Sequence, residues 1–211
     1  MLIFLRKTGL LIVALLLVSA GGLIPRAHAI LPRLSIVGAA DWAQPVTSIP
    51  GQTFTSKLGL PGGGVLLEMP IFMRMGFELG ALYLTRSWND GINNVSGHTV
   101  QGTGIFRLWL MSFLSIGAGG YYSSALGDLK SLDDSSTFSY DTYGLKTTDY
   151  GLVGSISLKF KLLPTLSLVL EGRYNYGLAN LTSDTLLTVD PSITVQSRDI
   201  QALAGFRFGM F

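Results

Sequence analysis

The sequence predicts an all-β fold: an eight-stranded antiparallel up-and-down barrel that spans a membrane, preceded by a cleavable signal peptide. Three observations predict it. The first 29 residues have the layout of an export signal. The rest of the chain repeats period-2 alternation of apolar and polar residues, with no sustained period of 3.6. The connections between the alternating runs are short and long in turn.

Composition sets the frame. The chain has 211 residues, enough for one domain or two. Only 13% are charged, 48% are hydrophobic and 26 are glycine. That is apolar for a soluble domain, yet too rich in glycine and polar residues for a bundle of membrane helices. Cysteine is absent, which excludes disulfides, thiolate metal sites and cysteine nucleophiles.

The N-terminus reads MLIFLRKTGLLIVALLLVSAGGLIPRAHA. Arg6 and Lys7 make a basic start, residues 9–24 an apolar run, and Ala27-His28-Ala29 a small-x-small cut site. The run approaches the length of a bilayer-spanning helix, so an uncleaved anchor is the rival reading. The cut site favours cleavage after Ala29, giving a signal peptide over 1–29 and a barrel domain over 30–211. Cleavage removes Arg6, Lys7 and Arg26 and leaves 12 basic against 13 acidic residues. The basic pI of the whole sequence is thus partly a property of the export segment, and no nucleic-acid partner is expected.

The spacing predicts strands over 33–42, 64–71, 75–86, 100–110, 113–123, 149–162, 165–178 and 199–211. The clearest is 149–162, where Leu152, Ile156, Leu158, Phe160 and Leu162 share one face and Ser155, Ser157, Lys159 and Lys161 the other. Next, 165–178 sets Leu166, Leu168, Leu170, Tyr174 and Tyr176 against Ser167, Glu171, Arg173 and Asn175. Pro164 between the two runs marks a tight turn. The alternation blurs at Leu66, Leu82 and Trp109, which fall on the otherwise polar face.

Connections near 72–74, 111–112 and 163–164 are tight, whereas 43–63, 87–99, 124–148 and 179–198 are long and polar. Short periplasmic turns and long outer loops have this alternation in an outer-membrane barrel. An even strand number places both termini at the short-turn end. A soluble sandwich need not sort its loops by length, and a soluble up-and-down barrel would turn its apolar files inward.

With the apolar files outward, the lumen receives Arg33, Asp41, Glu68, Glu78, Arg86, Arg107, Lys159, Lys161, Glu171, Arg173, Asp199 and Arg207. The near balance of sign predicts an internal network of ion pairs, because an eight-stranded barrel is just filled by side chains and unpaired buried ions are costly. Trp42, Tyr83, Tyr121, Tyr122, Tyr150, Tyr174 and Tyr176 fall toward the long-loop ends. Phe72, Phe77, Phe113, Phe160 and Phe208 gather toward the short turns, as two interfacial girdles would.

Signal peptide, eight alternating strands, unequal loops and the ending IQALAGFRFGMF together resemble the small eight-stranded outer-membrane barrels, of the OmpX and OmpA-membrane-domain type. The resemblance covers residues 30–211 and rests on architecture. It implies a bacterial outer-membrane location with both termini periplasmic, and outer-membrane lipid as a partner. It also implies that the barrel-assembly machinery reads strand 199–211 through Phe206, Phe208 and Phe211. By strict alternation Phe211 falls in the inward phase of Arg207, unlike the family's usual ending.

The sequence offers little chemistry. His98, the one histidine after the signal, has Ser96 two positions before it, in the reverse order of a lipid-deacylase pair; a loop histidine at the outer rim is expected. Asp133, Asp134 and Asp141 lack calcium-loop spacing. Gly117, Gly119 and Gly120 relieve crowding or permit bending. No cofactor, metal or catalytic residue is expected. The functional expectation is a non-enzymatic barrel with a filled lumen and an envelope-structural, adhesion or surface-recognition role. Its partner surface is the 124–148 loop with Phe138, Tyr140, Asp141 and Tyr143. The alternatives are a narrow pore, a lipid-modifying enzyme and a soluble periplasmic ligand-binding barrel.

Overall fold

The computed structural model describes residues 31–48, 54–72, 74–91, 93–133, 136–142, 144–183 and 192–209. The signal peptide expected over 1–29, the loop position Tyr143 and the phase of Phe211 lie outside the described residues.

Nine strands follow in order: β1 (Arg33–Thr47), β2 (Thr55–Phe72), β3 (Met75–Asn89), β4 (Asn94–Trp109), β5 (Leu114–Ser131), β6 (Thr137–Phe138), β7 (Thr148–Leu163), β8 (Leu166–Gly177) and β9 (Val195–Gly209). Eight of them pair antiparallel with their neighbours in chain order, and β9 closes on β1 from Arg33↔Gly209 to Thr47↔Val195. The result is a closed eight-stranded barrel with no free edge, so every wall strand has its backbone partners on both sides. The ninth element, β6, is two residues long and pairs with the outer end of β5, Leu129↔Phe138 and Lys130↔Thr137.

Seven of the eight wall strands are longer than the sequence pattern indicates, β8 being the exception. β2 and β5 have 18 residues each and most others 15 or 16. About 9–11 tilted residues cross a bilayer, so the strands continue well beyond it at the long-loop end. The connections expected over 43–63, 87–99 and 124–148 shrink accordingly. Between β3 and β4 only 90–93 remain, a tight turn in which Asp90 Oδ1 accepts from the Asn93 amide at 2.6 Å and Asn89 Oδ1 from the Gly91 amide at 2.9 Å. Long and short connections therefore do not alternate without exception. Asp90-Gly91 is a hairpin signal, and the polar residues on either side disguise it.

The faces separate as period 2 requires. Ile36, Val65, Val100, Ile116, Leu152, Ile156 and Phe206 are outward and each over two-fifths exposed, while Val37, Leu66, Val153 and Leu203 are inward and buried. In a closed barrel such a continuous apolar outer band is a lipid-facing surface. Leu66 and Leu82 lie inside, in an apolar layer with Val37, Ala39, Leu84 and Leu203. That layer is the reason their strands blur in the sequence.

Wall contact is tight at Gly119 on the inner face of β5. A Cβ there would meet the carbonyl oxygen of Gly104 and lie 2.8 Å from the Ile105 Cα, both backbone atoms of β4. At Gly154 nothing lies within 4 Å of the corresponding position. Gly119→Ala is therefore expected to destabilise the barrel by about 1–3 kcal/mol through overpacking, and Gly154→Ala to leave it unchanged. Urea unfolding of the two variants in lipid vesicles, followed by tryptophan fluorescence, measures the difference.

Candidate functional site

The inward files place charged residues from different strands at common heights. In the lower tier, nearer the short turns, Arg107 of β4 donates to both oxygens of Glu78 of β3, Nε to Oε2 at 2.9 Å and Nη2 to Oε1 at 2.8 Å. The same Nη2 reaches Glu171 of β8 at 2.6 Å. Arg173 answers from β8, donating to Glu78 at 2.8 Å and to Glu171 at 2.7 Å. Two guanidinium groups and two carboxylates thus alternate round a square, all four side chains fully buried. Arg207 of β9 extends it, bonding Glu68 of β2 and lying 3.6 Å from Glu78. Arg207 Nε also donates to Ser35 Oγ at 3.0 Å. Arg33 reaches Glu68 at 3.1 Å from the mouth, its own side chain 37% exposed.

Above this tier lies the apolar layer, and beside it Gln201 donates to Gln101 across the lumen at 2.8 Å. The upper tier then gathers three carboxylates on one guanidinium. Arg86 hydrogen-bonds Asp199 and lies 3.8 Å from Asp41 and 3.6 Å from Asp149. Tyr121 donates to Asp149 at 3.0 Å. Asp149 and Tyr121 were not among the expected lumen charges and partners. Asp149 shares the parity of Val153 and Ser157, which is the signal for it, and Tyr121 faces inward instead of joining the girdle. Lys159 and Lys161 belong to neither tier. Lys159 rests over the Trp109 ring at the short-turn mouth, 4.2 Å from its centroid, and Lys161 is exposed there.

The outer mouth is closed by side chains. Trp88, Val95, Leu129 and Tyr140 are buried together, with Phe54, Ala125, Phe138 and Leu145 packed against them. Tyr140 points into the barrel so closely that a Cβ on Gly97 would meet its hydroxyl. Burial raises the pKa of that hydroxyl above its ordinary value. Of the described residues expected to form a recognition surface, Phe138 and Tyr140 are therefore turned inward and Asp141 is exposed. Asp133 is tied down as well, accepting from the Asn94 amide at 2.7 Å and side chain at 2.8 Å.

A family model for the outer membrane protein β-barrel domain matches residues 47–183, more than half of the sequence. The chain belongs to this family. Among solved structures, the barrel is similar to OprG from Pseudomonas aeruginosa, at 14% identity and TM-score 0.52, covering 87% of this chain and 98% of that one. It is also similar to Neisserial surface protein A, at 14% identity and TM-score 0.50, covering 84% and 97%. A comparison with curated protein sequences gives no match. At these identities the structures show the fold alone, and the family places this barrel in the outer membrane.

The barrel's exposed aromatics fit that medium: Tyr122, Tyr150, Tyr174 and Tyr176 toward the outer end, Phe113, Phe160 and Phe208 toward the short turns. His98 lies on strand β4, not in a loop, because β4 continues to Asn94. Its ring stacks on Tyr83 at 5.5 Å and its Nδ1 is 3.3 Å from Thr85 Oγ1, while Ser96 accepts from Ser87. Among the described residues no cluster of His, Asp and Glu has metal-binding geometry.

Breaking the lower square should be costly. Arg107→Met leaves Glu78 and Glu171 sharing Arg173, with Arg207 3.6 Å from Glu78, and is expected to lower stability by about 3–5 kcal/mol. Arg33→Gln, at the wet mouth, is expected to cost under about 1 kcal/mol. The same unfolding measurement compares them.

Proposed function

We propose that this protein is a closed, non-enzymatic outer-membrane barrel that serves the envelope as a rigid membrane-anchored scaffold with a surface-recognition role at its outer end. The observation that supports this most directly is the sequence of barriers along the lumen: charged square, apolar layer, upper tier and aromatic plug. Each is made of side chains from several strands, and none has the paired nucleophile and base that hydrolysis requires. In this reading the short turns and both termini face the periplasm. Outward Phe206 and Phe208 on β9 are then the features offered to the barrel-assembly machinery. Recognition falls to the polar outer tips, including exposed Thr137, Ser139, Asp141 and Thr142, since Phe138 and Tyr140 serve the plug.

Reconstituted into a planar bilayer, the protein is expected to give no steady single-channel steps. A variant with 134–143 replaced by a short turn is expected to stay silent too, because the two charged tiers remain. Steady conductance from the intact protein would sink the closed-barrel reading.

A further inference from the structure

The short-turn mouth carries more positive charge than the lumen network neutralises. We propose that it holds the headgroup of an anionic phospholipid, with the phosphate on Arg33, Arg74 and Lys159 and the acyl chains along the β4–β5 turn.

Four cations meet at this end. Arg74, in the β2–β3 turn, and Lys161 are exposed, and neither they nor Lys159 has a carboxylate partner among the described residues. Lys159 lies within the fields of Arg33, Arg207 and Lys161, all of its own sign. Glu68, the carboxylate that Arg33 reaches at this mouth, is buried and already shared between Arg207 and Arg33. Like charges gathered at a low-dielectric wall repel strongly, so a counter-anion at the mouth stabilises the arrangement.

The shape selects an amphiphile. A cavity of about 380 Å³ is lined by Arg33, Arg74 and Lys159 together with Trp109, Leu110 and Met111, so basic and apolar side chains share its wall. Leu110 and Met111 are 44% and 55% exposed in the turn that leads to Phe113, itself outward and exposed. A second cavity of about 200 Å³ continues from Arg33 and Lys159 toward Lys161 and Arg207. A free phosphate would leave the apolar wall wet. A headgroup entering from the membrane places its phosphate on the cations and its chains on the turn, where basic side chains near a bilayer surface attract anionic lipid. The choice of a phospholipid rests on the reading that the short turns lie in the periplasmic leaflet.

Native mass spectrometry of the full-length protein, in a zwitterionic detergent with phosphatidylglycerol or phosphatidylcholine added, tests the site. Phosphatidylglycerol is expected to be retained in preference, and Arg74→Gln/Lys159→Gln to weaken its retention by about tenfold or more. Lys130→Gln, at the opposite end, is expected to have no effect. Heat-modifiable gel migration checks that the variants fold, and Arg74→Gln alone, at an exposed turn, stands in should the double variant fail. Equal retention of both lipids, or an unchanged double variant, would overturn the proposal. So would full displacement by inorganic phosphate, which would make the site one for the free anion. None of these readings depends on conductance, and protease protection of the outer tips in whole cells tests the orientation separately.

Discussion

The structure depends on one constraint: a strand whose outer face belongs to lipid must neutralise its inner charges inside the barrel. Arg107, Arg173, Glu78 and Glu171 meet it by alternating sign round a closed square, so each ion has two opposite neighbours. Replacing such a network with apolar side chains is often neutral or better for stability, whereas removing one member is not. Its contribution is therefore to specificity. A register slip of one residue would turn Glu78, Arg107 or Glu171 out into hydrocarbon, and the square joins β3 and β4 to β8 on the far side of the wall. Together with Arg207 and Glu68 it fixes five of the eight strands against one another.

The tiers are unequal, and the inequality has a direction. The upper tier sets three aspartates on Arg86, whereas the lower tier and its mouth add Arg33, Lys159 and Lys161 to an already balanced square. The apolar layer of Val37, Leu66, Leu82, Leu84 and Leu203 lies near the Gln101–Gln201 bond and interrupts the polar lumen. Acidic excess therefore collects toward the long-loop end and basic excess toward the short turns. The lumen is polarised along its axis, and no continuous wet path is needed to explain its polar content.

The membrane-spanning half was legible in the sequence because there alternation, charge and lipid-facing apolarity all agree. β7 and β8, with Ser157, Lys159, Glu171 and Arg173 opposite Ile156, Phe160, Leu170 and Tyr174, could be placed residue by residue. Which charge meets which was not legible, since pairing across a barrel depends on how far the strands are staggered, and composition does not encode that. Parity did carry Asp149 inward, but the residue stands at the edge of the run, where a loop aspartate looks the same. The fate of Tyr140 was invisible because its partners, Trp88, Val95 and Leu129, lie in segments that read as loop.

Those segments read as loop because the rule of the strand reverses there. Inside the membrane, β5 has Ser115 inward and Ile116 outward; farther along the same strand, Leu129 is inward and buried while Asp128 and Lys130 are outward and exposed. β4 changes likewise from inward Arg107 to inward Val95, and β3 from inward Glu78 and Arg86 to inward Trp88. In β3, β4 and β5 the inward residues keep one parity to the outer end, but the hydrophobic face changes sides as the strand passes from hydrocarbon into water. The outer end is thus a small water-facing β-structure with an apolar core of its own, built on a barrel with a polar core. A window spanning the crossover averages the two faces to nothing, which is what loop composition looks like. The aromatic plug is the core that this change of solvent requires, and it closes the barrel as a consequence of stabilising the projecting strands.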